Sequence, residues 1–172
     1  MSGSDAGAAH ARARAAVVVT GLVSASLFGY LAWDLAPLEP GVLALQFAFS
    51  PRAFAEVVHQ WSAQDLARYR AHLPIDGLLL VSYALFGVLA ATRTRLFAAS
   101  GPGSVRRAAL LLPAAALCDA FENLMHWWLT GAPRFGVPWA YALAAGLSSL
   151  KWLGLLGFAW LSVRALRGAA GP

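Results

Sequence analysis

The sequence has few charged residues for its length. Only 12% of its 172 residues are charged and 59% are hydrophobic, and the mean hydropathy is +0.62. An ordinary soluble domain has about a quarter of its residues charged. A chain with so few charges could not cover the surface of a soluble domain with polar groups, so the composition indicates a membrane protein.

Cysteine is nearly absent as well. Cys118 is the only cysteine, which excludes an intrachain disulfide and a cysteine-based metal site. The sequence also lacks a P-loop, a dinucleotide-binding glycine signature, a His-x-x-x-His pair and a Gly-x-Ser-x-Gly elbow. His59, His72 and His126 do not have the spacing of a helical metal site. We therefore predict neither a metal nor a cofactor.

The basic residues do not form a nucleic-acid-binding patch. The formal net charge of +5 and the pI near 10.1 come mainly from arginines that lie in pairs beside apolar runs. This distribution is better explained by membrane topology than by nucleic-acid binding. The expected surroundings are therefore a lipid bilayer.

Four runs are long and apolar enough to cross a hydrocarbon core of about 30 Å. We predict spans at about 15–33, 75–92, 108–130 and 139–163, within a single membrane domain at 15–165. Residues 1–14 are predicted to form a disordered tail, and residues 166–172 a second tail. The first run is long for a signal peptide and no small-x-small cleavage site follows it, so we expect it to be retained. The predicted fold is an all-α, four-helix transmembrane bundle.

The segment between the first two spans is predicted to form a cap of short amphipathic helices at about 41–73. Ser50 followed by Pro51 is typical of a helix start. An apolar face follows at helical spacing, formed by Phe54, Val57, Val58 and Trp61. Ser62 and Asp65 match a capping box that begins a second helix, which we expect Pro74 to end.

The arginines also predict the orientation of the bundle. The two tails and the loop between spans two and three hold eight arginines, whereas the two other loops hold four. By the positive-inside rule both termini are cytoplasmic, as in a protein of the bacterial cell (inner) membrane. Several aromatic residues then fall at the outer interface, where a belt is expected: Trp33, Trp127, Trp128, Trp139 and Tyr141.

The third span contains a polar stretch, Leu117–His126. Its polar side chains lie within roughly a third of the helix circumference; they are Asp119, Glu122, Asn123 and His126. Asp119 lies roughly 16 Å from the outer end of its span, and Lys151 roughly 18 Å from the outer end of the next. An unpaired charge at this depth costs about 2.5–3.5 kcal/mol. We therefore predict an ion pair between Asp119 and Lys151.

The second span adds Asp76 at its start and Tyr83 on the same face, which completes a predicted inward-facing site. In order from the midplane outward, the predicted layers are a floor of Asp119 and Lys151, a contact layer of Glu122 and Tyr83, and a mouth of Asn123, His126 and Asp76. Any one of these residues could simply hold helices together. The whole set exceeds what the packing of four helices requires, which favours a functional site.

The polar pattern resembles that of a family of uncharacterised four-span bacterial membrane proteins. In that family, an extracytoplasmic segment ending in Trp and an Arg-rich stretch precedes an Asp and a Tyr in span two, Asp-x-x-Glu-Asn in span three and a Lys in span four. The matching residues here are Trp61, Asp76, Tyr83, Asp119, Glu122, Asn123 and Lys151. The resemblance covers roughly residues 15–165, and Gly77 departs from the family's aromatic-proline step. It implies a shared fold and site but no established activity.

Three classes of function fit this predicted site. The first is a pocket that binds a lipid or other small amphiphile from the outer side, which we favour because the site opens toward the interface beneath amphipathic helices. The second is proton or ion translocation through the cluster. The third is a non-catalytic structural or assembly subunit. The cytoplasmic halves of the spans are nearly bare of ionisable groups, which disfavours translocation. The sequence assigns neither a reaction nor an oligomeric state.

Overall fold

The computed structural model describes residues 3–98, 101–132 and 134–169, and this part of the chain is built from helices. In chain order they are α1 (Gly3–Leu35), α2 (Val42–Gln46), α3 (Pro51–Val58), α4 (Ala63–Arg93), α5 (Pro102–Leu129) and α6 (Pro138–Ala169). Two of them, α2 and α3, are short, and the other four are long. The all-α class predicted from the sequence is confirmed.

Each long helix contains an apolar stretch that is long enough to cross a membrane. These stretches are Ala11–Leu35, Ala63–Arg93, Pro102–Leu129 and Pro138–Gly168, and their most apolar windows have mean hydropathies between 1.4 and 1.9. The hydrocarbon core requires about 20 such residues per helix. The protein is therefore an integral membrane protein with a bundle of four transmembrane helices, as predicted.

Helix α4 corrects the predicted start of the second span. It runs without interruption from Ala63 to Arg93 and includes Pro74, the residue predicted to end a cap helix. It begins at the predicted capping box, in which Ser62 Oγ accepts from the Asp65 N–H and Asp65 Oδ2 accepts from the Ser62 N–H, both at 3.1 Å. Transmembrane helices tolerate proline because neighbouring groups satisfy the freed carbonyl. The second predicted cap helix is thus the first part of α4.

Helices α1 and α6 extend into the segments predicted to be tails. Helix α1 begins at Gly3, within residues 1–14, for which the sequence predicts disorder, and α6 continues to Ala169, past the predicted end of its span at 163. Both segments are rich in alanine and arginine, which are strong helix formers. The helices therefore continue beyond the length that a bilayer requires. Residues 1, 2 and 170–172 of the predicted tails lie outside the described residues.

The long helices pack in chain order, α1 against α4, α4 against α5 and α5 against α6. Neighbours are antiparallel; for example, Ser24 of α1 contacts Ser82 of α4, and Gly21 lies beside Phe86. One end of the bundle therefore carries the loops at 36–62 and 130–137, and we call it the cap end. The opposite end carries both termini and the loop between α4 and α5, and we call it the terminal end.

The segment between α1 and α4 forms a packed cap. Ser50 Oγ accepts from a backbone N–H three residues later at 3.2 Å and so caps α3, as predicted. Phe54 and Val57 are buried in a core shared with α4, α5 and α6. Trp61 Nε1 donates to the Pro40 carbonyl at 2.8 Å. The cap is thus held against one end of the bundle by its own apolar core.

Candidate functional site

Lys151 of α6 binds two carboxylates of α5. Its Nζ donates to Asp119 Oδ1 at 3.0 Å and lies 2.7 Å from Glu122 Oε2. All three side chains are buried, with relative exposures of 6% for Lys151, 8% for Asp119 and 1% for Glu122. Residues three apart on a helix lie on one face, so Asp119 and Glu122 can reach the same ammonium group. The Asp119–Lys151 contact expected from the sequence is present, and Glu122 joins it.

Tyr83 and Asp76 connect α4 to the same face of α5. The Tyr83 hydroxyl donates to Asp119 Oδ2 at 3.3 Å, and Asn123 Nδ2 donates to Asp76 Oδ2 at 2.6 Å. Asp119 is therefore held by a lysine on one side and a tyrosine on the other. Asp76 differs, because its only hydrogen bond within the described chain comes from a neutral amide, and it forms no ion pair there.

A buried tyrosine–histidine pair continues this line of contacts toward the cap end. The Tyr69 hydroxyl lies 2.7 Å from His126 Nδ1, and the two share a hydrogen bond. His126 is almost fully buried, packs against the Phe54 ring at 5.7 Å between centroids, and has no hydrogen-bond partner for Nε2 among the described residues. His126 Nδ1 lies 3.8 Å from Glu122 Oε1. This histidine therefore belongs to the packed core behind the lysine.

Sequence reasoning missed Tyr69 and His72 as members of the site. Tyr69, Asp76 and Tyr83 are seven residues apart, which is about two helical turns and places them on one face of α4. His72 lies one turn before Asp76, and its Nδ1 hydrogen-bonds to the Tyr69 carbonyl. The seven-residue spacing was visible in the sequence. The predicted helix end at Pro74, however, places Tyr69 and Asp76 on separate helices.

A cavity of about 820 Å³ lies beside this cluster. Helices α1, α4, α5 and α6 all contribute to its wall, together with residues 36–46 of the cap. Most of the wall is apolar and includes Ala25, Phe28, Leu31, Leu35, Leu79, Phe86, Leu112, Leu155 and Phe158. The polar part of the wall consists of Ser24, Glu39, Gln46, His72, Asp76, Tyr83, Asp119, Lys151 and Trp152. The cavity therefore combines a long apolar surface with one polar region.

The cavity divides the predicted site residues into two groups. Asp76, Tyr83, Asp119 and Lys151 line it, whereas Glu122, Asn123 and His126 do not. Glu122 is fully buried and stands behind Lys151. The predicted layers thus do not match the arrangement: Glu122 is not in the contact layer, and His126 and Asn123 are not at a mouth. The reason is that the cavity wall is formed with α1 and with residues 36–46 of the cap, and Glu122, Asn123 and His126 are not part of that wall.

The chemistry of this site is that of binding polar groups in an apolar setting. Lys151 is held by two carboxylates, so it is poorly placed to act as a free nucleophile. In the described part of the chain, no group of three His, Cys, Asp or Glu side chains is arranged to hold a metal ion.

Comparisons with protein-family models, with curated proteins and with solved structures find no match.

Proposed function

We propose that this protein binds an amphiphilic molecule, a lipid or another small amphiphile, in the cavity between α1 and α6. The observation that carries the proposal is the cavity itself. Its volume of about 820 Å³ lies within the usual range for ligand sites, about 300–1,000 Å³. Its apolar wall suits a hydrocarbon chain, and its polar region, formed by Asp76, Tyr83, Asp119 and Lys151, suits a headgroup.

The packing order of the helices supports entry from the bilayer. Helices α1 and α6 are the two ends of the order α1–α4–α5–α6, and both line the cavity. On the cap side of the cavity, α2 reaches α6, because Trp152 Nε1 of α6 donates to Gln46 Oε1 of α2 at 3.1 Å, and residues 36–46 line the cavity as well. The cap thus covers that end of the cavity. A hydrophobic ligand would enter sideways between α1 and α6, below α2.

The packing of the terminal half of the bundle favours ligand binding over the translocation of a proton or ion. A Cβ on Gly87 would lie 2.7 Å from Leu112 Cβ, so α4 and α5 are in close contact there. The rings of Phe86 and Phe97 pack on Phe158, with centroids 6.1 Å and 5.9 Å apart. Among the described residues, the buried core on this side contains no acidic or basic side chain. A proton or ion would therefore find no continuing series of polar groups beyond Asp119 and Lys151.

The orientation predicted from the arginines is part of the proposal. We place the protein in a bacterial inner membrane, with the cap end outside the cytoplasm and both termini inside. We also expect the family resemblance to reflect a shared site. Arg70 lies 4.3 Å over the Trp127 ring and Arg134 lies 4.5 Å over the Trp128 ring. Such amphipathic groups are typical of a membrane interface. The proposed site then opens in the outer half of the bilayer.

The test is to fill the cavity from α1. In Ala25→Trp, the indole occupies space along the cavity wall, whereas Ser26→Trp places the same group on a neighbouring position that does not line the cavity. Both positions are exposed on the helix surface, so we expect both variants to fold. Native mass spectrometry of protein purified from membranes in mild detergent would measure the amphiphile that stays bound.

We expect wild type and Ser26→Trp to retain a bound amphiphile and Ala25→Trp to lose most of it. Equal retention in Ala25→Trp would contradict the proposed site. Wild-type protein that carries no amphiphile, even after reconstitution in nanodiscs of the source membrane lipids, would contradict the proposed function.

A further inference from the structure

The charged groups that line the cavity are mostly acidic. They are Glu39, Asp76, Asp119 and Lys151. The wall also contains two further titratable side chains, His72 and Tyr83. Lys151 carries the only ammonium group among them, and it binds Asp119 together with Glu122 behind the wall. Two carboxylates therefore already neutralise the single ammonium group. The charge that remains available to a ligand is negative.

Asp76 is the acidic group whose bonding leaves room for a ligand. Its Oδ2 accepts from Asn123 Nδ2 at 2.6 Å, and Oδ1 receives no hydrogen bond from any described residue. Asp76 is half-buried and lines the cavity, on the same face of α4 as Tyr83. A carboxylate inside a membrane protein without a cationic partner is costly and is typical of a ligand counter-ion site.

Glu39 adds a second carboxylate at the cap side of the same cavity. It forms no ion pair within the described chain and is exposed. A ligand with an anionic headgroup would meet Asp76 and Glu39 without a free cation to compensate, and like charges that face each other disfavour binding. A cationic headgroup would meet an unpaired carboxylate oxygen at the polar region of an otherwise apolar cavity.

We infer that the amphiphile bound in this cavity has a positively charged amine headgroup and no net negative charge, and that Asp76 is its counter-ion. This inference rests on the proposed function, because it assigns the headgroup chemistry of the same site. The ligand would reach the site from the bilayer, with its apolar chain along Phe28 and Leu155 and its ammonium group on Asp76 Oδ1. Lys151 has a structural role in this arrangement, since it holds Asp119 and Glu122.

The experiment compares three photoreactive probes with the same alkyl tail and different headgroups: a primary amine, an alcohol and a carboxylate. Protein in nanodiscs of an uncharged-headgroup lipid is irradiated with each probe, and mass spectrometry maps the labelled residues. Labelling of Ala25 and Phe28, which line the cavity, is divided by labelling of Leu22, which is exposed on α1 and does not line it. This ratio corrects for how strongly each probe enters the bilayer.

We expect the ratio for the amine to exceed the ratio for the carboxylate by about tenfold to a hundredfold, the range expected for a hydrogen bond to a charged group. Asp76→Asn keeps an oxygen that can accept from Asn123, and it should reduce the amine preference to about that of the alcohol. Asp34→Asn removes a carboxylate that does not line the cavity and should leave the preference unchanged. If Asp76→Asn does not fold, Glu39→Lys places a cation on the same wall and should lower the amine preference.

The outcomes separate this inference from the proposed function. Equal labelling of the cavity by all three probes would overturn the headgroup assignment and leave amphiphile binding in place. An amine preference that persists in both Asp76→Asn and Glu39→Lys would overturn the role of Asp76. No labelling of the cavity above the Leu22 reference with any probe would overturn the proposed function, and the inference with it.

Discussion

Replacing Lys151 by methionine would remove the ammonium group that holds two buried carboxylates. Lys151 Nζ lies 3.0 Å from Asp119 Oδ1 and 2.7 Å from Glu122 Oε2, and none of the three side chains is more than 8% exposed. Lys151 is also the only lysine in the sequence. Methionine preserves most of the apolar stem of the side chain. The variant therefore isolates the loss of the charge.

The size of the effect follows from this burial. Removing one partner of a buried ion pair costs about 3–5 kcal/mol, because the other charge is left without compensation. Here one cation serves two carboxylates, so we expect Lys151→Met to lower the free energy of unfolding by about 4–5 kcal/mol. Adding Asp119→Asn and Glu122→Gln removes both orphaned charges. The triple variant should return to within about 1–2 kcal/mol of wild type, because neutral groups of similar volume can replace a buried pair.

The assay is unfolding by titration of a denaturing detergent into mixed micelles, followed by circular dichroism. Arg164→Met is the matched control, because Arg164 is an exposed cation on the same helix and lies 5.5 Å over the Trp160 ring. The free energy of unfolding of this variant should stay within about 0.5 kcal/mol of wild type. A loss below about 1 kcal/mol in Lys151→Met would contradict the expected cost of the orphaned carboxylates. So would a triple variant that is no more stable than the single one.

Two further changes test the packing of α4. Gly87→Ala would place a Cβ 2.7 Å from Leu112 Cβ, so it should lower thermal stability by the equivalent of about 1–3 kcal/mol. Gly77→Ala is the control and should not lower it, because nothing lies within 4 Å of the added Cβ. Equal melting temperatures for both variants would contradict the close contact. Tyr69→Phe removes the 2.7 Å bond to His126 and should cost about 1–3 kcal/mol of unfolding free energy in the same detergent titration. A neutral result for Tyr69→Phe would show that another group or a water satisfies the histidine.

The triple variant also distinguishes a functional cluster from a structural one. If the protein is only a structural or assembly subunit, the neutral cluster should change neither folding nor the amphiphile that stays bound in native mass spectrometry. If the cluster shapes the polar region of a binding site, the protein should fold and retain less amphiphile. The comparison is meaningful because Asp119 and Lys151 line the cavity, whereas Glu122 stands behind them.

The four transmembrane helices could be predicted from the sequence because the bilayer imposes the same requirement on every span. Each needs about 20 apolar residues whatever its neighbours are. The contact between Asp119 and Lys151 could be predicted for a related reason. Two opposite charges near the midplane of consecutive antiparallel helices have few other partners, and leaving either one unpaired is costly.

The bounds of α4 could not be derived in this way. Proline ends most helices in water, but in this protein Pro74 lies inside a helix that continues to Arg93. Local rules about proline do not include the neighbouring helices, which determine whether the freed carbonyl is tolerated. A prediction that ends a helix at Pro74 places Tyr69 and His72 on a different element from Asp76, so it does not show that the three share a face.

A four-helix membrane protein with a buried ion pair can be predicted from the sequence, because apolar length and helical spacing are local properties of the chain. Which polar residues face a cavity, in contrast, depends on the packing of the helices. Asp119 and Glu122 lie on one face of α5, yet Asp119 lines the cavity and Glu122 stands behind Lys151. That difference depends on how α1, α4 and α6 are rotated and placed around α5, and such placement is set by side-chain packing between helices.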